Sequence, residues 1–415
     1  MMLTLALNSI KDRAGSVALS VLAMAVSIFV LLGVEHIRQQ VKASFSSTVS
    51  GVDMIVGART GATNLLLYSV FRVGTPTNNI SWDAYQYIID SPDIRWSIPL
   101  SLGDSHCGYR VLGTTDDYFR YFKYGQDLAL RFETGRAFGQ ANEVVLGFEV
   151  AKKLGYQLGD SIILAHGVVS THFSQHDDYP FTVVGILLPT GTPVDQTVHI
   201  SLEGIEAIHR GWKNGVKIPS RISQEQEASE QPAQPPQSIT AFLVGLESRM
   251  STFRVQRAIN NYRYEPLMAI LPGVALTDLW QTMRVFENAL RLVSTLVFLA
   301  ASLGLTALLL ASIRERKQEM YLLRAIGASP ARLLALVQLE SIVITVISCT
   351  VALLGLEVAL LVSQDYLLSR FGLAINVNIL TQQTGILLAL LLITTALLSM
   401  IPSLKGYFQA KRFSG

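Results

Sequence analysis

Residues 277–316 read TDLWQTMRVFENALRLVSTLVFLAASLGLTALLLASIRER, and this stretch decides the architecture. It contains no proline, and no glycine before Gly304. From Leu292 to Ile313 it carries no charge, which suits a span of about 20 apolar residues crossing about 30 Å of hydrocarbon. Upstream, Leu279, Met283, Phe286, Leu290 and Val293 recur at alternating steps of four and three, the seam of a coiled coil. A helix from Thr277 to Ile313 would be roughly 55 Å long at about 1.5 Å per residue. About 25 Å of it would then stand outside the bilayer as a stalk.

Three other apolar runs accompany it. The first spans about Ser16 to Val34 and follows Lys11 and Arg13. It is longer than a signal-peptide core, and no small-x-small cleavage site follows the run before Glu35-His36-Ile37-Arg38, so it is expected to be retained. The third runs from Leu333 to Ser363 with Glu340 and Glu357 near its ends, and the fourth from Thr384 to Leu404. Short-loop basic residues set the orientation. Lys11, Arg13, Arg314, Arg316, Lys317, Arg324, Arg332, Lys405, Lys411 and Arg412 fall on one side, whereas loop 364–383 holds only Arg370. Both termini are therefore expected in the cytoplasm. After the first span, Ile37, Val41 and Phe45 offer an apolar stripe to the same stalk, the alternative being amphipathic helices lying on their own domain.

The chain has 415 residues, 50% hydrophobic and 15% charged, with formal net charge +2. A near-neutral balance gives no reason to expect nucleic acid. Two cysteines, Cys107 and Cys349, cannot form a disulfide framework. Between spans one and two, Asp53–Val56, Tyr109–Leu112, Glu143–Leu146, Ser161–Leu164, Phe181–Val184 and Thr197–Ile200 read as strands. Phe148–Leu154 reads as a short helix stopped by Gly155. The expected fold is four transmembrane α-helices with an α+β periplasmic domain inserted between helices one and two. Residues 219–239, polar and proline-rich, are expected to be a disordered loop.

No phosphate loop, nucleophile elbow, H-E-x-x-H or C-x-x-C occurs, which disfavours a hydrolase. His166, His172, His176, Asp177 and Asp178 have donor types suited to zinc, but the reading preferred is a solvated hairpin loop with no metal. Leu65, Leu66, Tyr68 and Phe71 form an apolar run outside the membrane, read first as core and alternatively as a substrate or partner surface. Glu340 and Glu357 are intramembrane carboxylates, for which a structural role is preferred.

The loop 314–341, RERKQEMYLLRAIGASPARLLALVQLES, opens on charge, continues as an apolar helical stretch and breaks at Gly327–Pro330. Glu315, Arg316, Glu319, Leu323, Arg324, Ala325, Gly327, Ala328, Ser329 and Glu340 match the form ER-x-x-E-x-x-x-LRA-x-GAS followed by a glutamate. In these residues the chain resembles the MacB/FtsX family of ABC transporter permeases. LRFETGRAFGQANEVVLGFEVAKKLGYQLGDSIIL and PFTVVGILLPTGTPVDQTVHIS resemble the MacB-type periplasmic domain, and IPSLKGYFQAKRF resembles the family's proline-containing end.

The resemblance implies a bacterial inner-membrane permease without its own ATPase domain. ATP and Mg would bind a partner ABC ATPase seated on the loop 314–332, and this chain would bind no cofactor and act as no enzyme. A second permease copy is implied, as a homodimer sooner than a heterodimer. Membrane lipids and a periplasmic adaptor or binding protein would complete the partners. ATP-driven closure would move the stalk and reshape the periplasmic domains, exporting or extracting a lipoprotein, lipid, peptide or small toxic molecule. Alternatives are an FtsX-like regulator of a periplasmic enzyme and metal-linked transport or sensing. The expected segments are 1–37 with span one, 38–276 outside, 277–313, 314–332 inside, 333–363, 364–383 outside, 384–404 and tail 405–415.

Overall fold

A computed structural model of the chain describes residues 14–48, 50–166, 179–209, 212–213, 216–217, 236–315, 329–371 and 378–412. They divide into two units, one built from Met1–Val41, Met283–Tyr366 and Ile375–Gly415, the other from Lys42–Thr282 and Leu367–Ala374.

Four long helices supply the first unit: α1 (Ala14–Ser47) and, after the inserted domain, α8 (Pro272–Glu315), α9 (Pro330–Phe371) and α10 (Gln382–Arg412). Each holds a stretch long and apolar enough to cross a membrane. Helix α8 starts at Pro272, earlier than the expected Thr277, because proline is pre-organised for the first helical position. Helix α9 continues past Ser363 to Phe371, since QDYLLSRF contains no breaker. Of the loop expected at 364–383, residues 372–377 lie outside the described residues. Helix α10 likewise runs beyond Leu404 to Arg412, although Pro402 lies within it.

Val17, Met24, Leu305, Leu309 and Ile344 pack together inside this unit, while Leu22, Leu303, Leu354, Leu361, Leu390 and Leu397 face outward. Outward leucine costs nothing against lipid tails, so polar groups and close packing hold such helices together. Ser27, Ser348, Thr345 and Thr395 return their hydroxyls to carbonyls four residues back, which lets them be buried. Gln338 on α9 reaches α10, donating to the Ala396 carbonyl at 2.7 Å and accepting from the Ser403 hydroxyl at 3.1 Å.

The inserted unit is built on an 11-stranded mixed sheet. Its strands are β1 (Met54–Ala58), β2 (Ile94–His106), β3 (Tyr109–Thr114), β4 (Phe132–Gly135), β5 (Glu143–Leu146) and β6 (Ser161–Ile162). The remainder are β7 (Ala165–His166), β8 (Phe181–Leu187), β9 (Thr197–Ser201), β10 (Ala241–Leu246) and β11 (Leu267–Ile270). The order is β11-β1-β10-β2-β3-β9-β5-β8-β4, with β7 on β2 and β6 on β8. Strand β2 joins two half-sheets: Ile94–Leu100 pair with β10 and Ser101–His106 with β3. The short helices are α2 (Ala62–Ser69), α3 (Trp82–Ile89), α4 (Asp117–Tyr121), α5 (Phe148–Leu154), α6 (Leu202–His209) and α7 (Thr252–Asn260).

Side chains alternate across the sheet, and that alternation sorts the core. Met54, Val56, Phe242 and Val244 join Tyr85, Ile88, Val255 and Ile259 of α3 and α7 on one face. Val144, Leu146, Val198 and Ile200 do the same with Val150 and Ile205 of α5 and α6. On the opposite face Ile55, Leu243, Leu112 and Val145 meet an aromatic cluster from α2 and α4, including Tyr68, Tyr118 and Phe119. Gly155 ends α5 in the left-handed conformation, φ 73°, the stop its position predicts.

Candidate functional site

The segment expected to seat an ATPase starts where α8 ends, at Glu315. Arg316, Glu319, Leu323, Arg324, Ala325, Gly327 and Ala328 lie outside the described residues. Beyond them Ser329 leads into Pro330 at the start of α9, with the Arg332 amide donating to the Ser329 carbonyl at 3.0 Å. Glu340 is buried, 3% exposed.

Within the four-helix unit α1 and α8 are joined by a charge ladder. Glu35, Arg38 and Gln39 share one face of α1 at helical spacing. Glu35 accepts from Arg38 (2.5 and 3.1 Å), from Gln39 (2.9 Å) and, across to α8, from Arg291 (3.4 Å). Arg38 also reaches Glu287 at 3.5 Å. Glu287 and Arg291 are four apart, so acid and base interleave on the facing stripes. The anticipated apolar seam is not what joins these helices. Met283, Phe286 and Leu290 are 41%, 66% and 54% exposed and Ile37 is 45% exposed, while Val41 is half-buried. In heptad terms Glu287 and Arg291 lie beside the 4-3 stripe rather than on it, so α1 packs against α8's charged flank and the stripe stays open. Inside the second unit Phe45 stacks on Phe71 at 4.4 Å and meets Trp280 edge-on at 5.7 Å, and half-buried Leu279 is Trp280's neighbour.

The stretch GRAFGQANEVVLG has a local structural logic. Arg136 donates to both Glu143 oxygens, at 2.6 and 2.8 Å, while the Gly139 and Gln140 amides donate to the same carboxylate at 2.7 and 3.2 Å. The Arg136 hydrogen bonds, helped by the two amides and opposed by burial, hold the Glu143 carboxyl down to about 2. Glu143 opens β5, and Gly147 after it donates to the Thr197 carbonyl at 2.9 Å. A Cβ on Gly147 would stand 2.3 Å from the Val194 carbonyl oxygen and 2.5 Å from that of Asp195. Only glycine permits this approach of strand-end and turn.

Leu65, Leu66, Tyr68 and Phe71 are not a surface: they are 0%, 0%, 1% and 6% exposed in the aromatic cluster. Leu65, Leu66 and Tyr68 are buried on α2, and Phe71 follows its end in the same cluster. His166 ends β7 opposite Asp104, and His172, His176, Asp177 and Asp178 lie outside the described residues. Among the described residues no group of three or more His, Cys, Asp and Glu could hold a metal. Sequence reasoning missed the α1–α8 ladder and the Gln338 clamp. The spacing of Glu35 to Arg38 and of Glu287 to Arg291 was the available signal for the first, while the second joins residues distant in sequence.

A family model described as MacB-like periplasmic core domain matches residues 17–262, and one described as FtsX-like permease C-terminal matches residues 291–410. Among solved structures, the chain is similar to the periplasmic region of MacB from Actinobacillus actinomycetemcomitans, at 11% identity and TM-score 0.34, covering 57% of this chain and 94% of that one. It is also similar to the extracellular domain of the noncanonic ABC-type transporter YknZ from Gram-positive bacteria, at 11% identity and TM-score 0.32, covering 53% and 99%. No curated protein matches the chain.

Proposed function

The chain belongs to the MacB/FtsX-type permeases, membrane components of ABC transporters, and from that premise we propose that it is a lever between a cytoplasmic ATPase and its own inserted domain. Permeases of this type work with a cytoplasmic ABC ATPase. Here the ATPase would sit on residues 314–332, with Glu315, Arg316, Glu319, Leu323, Arg324, Ala325, Gly327 and Ala328 forming the seat. ATP and Mg would be held by that partner alone. Both termini would lie in the cytoplasm and the inserted domain in the periplasm.

One observation carries the reading: α8 is a single helix of 44 residues. Its first turns put Ala275 and Leu276 into the inserted domain's aromatic cluster, and its last residue opens the charged loop. Such a helix measures about 66 Å at about 1.5 Å per residue. A continuous hydrogen-bonded rod transmits displacement where a loop would absorb it. The charge ladder makes α1 its companion, so that two helices would move together.

The open stripe of Met283, Phe286, Leu290 and Val293 supports a second copy as partner, because exposed coiled-coil seams call for another helix. The substrate would be a lipoprotein, lipid, peptide or small toxic molecule taken from the periplasm or the outer leaflet, with an adaptor or binding protein receiving it.

The test pairs the permease with its ATPase in proteoliposomes and replaces Arg324 and Gly327 together (Arg324→Ala, Gly327→Pro). ATPase stimulation by the permease should fall to the level of the ATPase alone while the complex still assembles. Stimulation equal to wild type would remove the loop from the coupling path.

A further inference from the structure

The inserted unit carries a groove of about 770 Å³ between α3 and the end of α7, within the size range of small-ligand sites. Its bottom is apolar, formed by Ile88 of α3 and by Val255 and Ile259 of α7, all buried. One wall is a row of three tyrosines. The Tyr87 and Tyr262 ring centroids lie 5.3 Å apart with the planes at 41°, and those of Tyr262 and Tyr264 lie 5.6 Å apart at 63°. The outer two residues are 67% and 89% exposed, a large ring area to leave in water. Asp90, Asn261 and Arg263 stand exposed at the rim.

Two ties fix the shape of this groove. At one end Glu265 accepts from the Ser81 amide (3.1 Å) and the Ser81 hydroxyl (2.8 Å), which binds the turn bearing Tyr262 and Tyr264 to the start of α3. At the other, Arg254 of α7 donates to Asp93, just beyond α3, at 2.6 Å. A wall set in place before a ligand arrives loses little freedom on binding.

The chemistry of the walls selects the ligand. An acyl chain would want apolar walls throughout, whereas this groove ends in phenol hydroxyls and ionised groups. A peptide strand would want an open backbone edge. On the edge strand β11, next to α7, the Ala269 amide already donates to Asn260 Oδ1 at 2.7 Å and its carbonyl accepts from Gln256 at 3.0 Å. A polyproline helix advances about 3.1 Å per residue, out of step with rings 5.3 and 5.6 Å apart. A pyranose fits. It has a face of C–H groups, which the negative face of a tyrosine ring attracts, and a rim of hydroxyls for Asp90, Asn261 and Arg263 to bond. One ring step matches the advance of one residue in an extended β-1,4-linked chain, and the successive tilts suit a chain that twists as it advances. We propose that this groove binds an extended β-1,4-linked saccharide, with one pyranose against each tyrosine.

The test is saturation-transfer NMR on the full-length permease in phosphatidylcholine nanodiscs, with no ATPase present, so that a failure here leaves the lever reading untouched. Cellotriose and chitotriose are the probes, and maltotriose, with its curled α-1,4 linkage, is the comparison. Irradiating the protein's aromatic protons should carry saturation to the ring C–H protons of both β-1,4 probes, and more weakly to maltotriose. Tyr87→Ala should weaken binding about three- to tenfold, the share that one ring contact carries. Met250→Ala, at a residue 94% exposed and outside the groove, should leave it unchanged. No transfer to either β-1,4 probe, equal transfer to maltotriose, or unchanged affinity in Tyr87→Ala would each overturn the proposal.

Discussion

Replacing Glu143 by glutamine tests the energetics of the inserted domain at a point where geometry allows a magnitude. The carboxylate receives two guanidinium and two amide hydrogen bonds. Glutamine keeps one acceptor oxygen and points an NH2 at Arg136 or at the amides, so at least one donor faces another donor. A carboxyl held at about 2 instead of 4.5 corresponds to roughly 3 kcal/mol between its two protonation states. The Arg136 side chain is 61% exposed while that of Glu143 is 9% exposed, so solvent screens one side of the pair and about 2 kcal/mol is the figure to expect. For a domain of this size that is a drop of about 4–8 °C in melting temperature. The pH dependence has a definite sign. The folded-state pKa lies below the unfolded one, so the stabilisation is complete above about pH 4.5 and is lost as pH falls toward 2. Wild type and Glu143→Gln should therefore converge on acidification. Thermal unfolding of the full chain from pH 7 to pH 3, with Arg136→Met and the double variant completing a cycle, measures both effects. A coupling below about 0.5 kcal/mol, or a gap between wild type and Glu143→Gln that stays constant with pH, would refute the reasoning.

Two further substitutions probe the frame. Gly147→Ala forces a Cβ to within 2.3 Å of a backbone oxygen and should cost about 3 kcal/mol or more. Reduced yield and a lower melting temperature of the inserted unit are expected, and wild-type melting would show that the turn gives way freely. Gln338→Leu removes both links between α9 and α10 and should cost about 1 kcal/mol, as interhelical hydrogen bonds in membranes do; denaturation in detergent against wild type reads it.

Much of this fold could be read from local patterns. Four apolar runs announce four helices, and Tyr109–Leu112, Glu143–Leu146 and Thr197–Ile200 announce strands because β-branched residues alternate between polar boundaries. Strand β2 was not legible, since Pro99 and Gly103 interrupt a run that bends from one half-sheet to the other. Strand β10, AFLVGL, is buried on both faces and shows no alternation. The same limit applies at the site. Glu35, Arg38, Glu287 and Arg291 lie at helical spacing on their own helices, but which stripe of α8 meets α1 is a matter of packing. The 4-3 apolar stripe was real, yet it stands open instead of facing α1.

The lever reading stands or falls on whether ATP at the cytoplasmic loop moves the inserted domain. Tyr264, 89% exposed, takes a spin label as Tyr264→Cys after Cys107 and Cys349 are replaced, and electron–electron distances between two copies are recorded in the complex with its ATPase. The account predicts that the distance distribution differs between the nucleotide-free and ATP-bound complexes, and that Arg324→Ala with Gly327→Pro abolishes the difference. Identical distributions in the wild-type complex while ATP is being hydrolysed would contradict it.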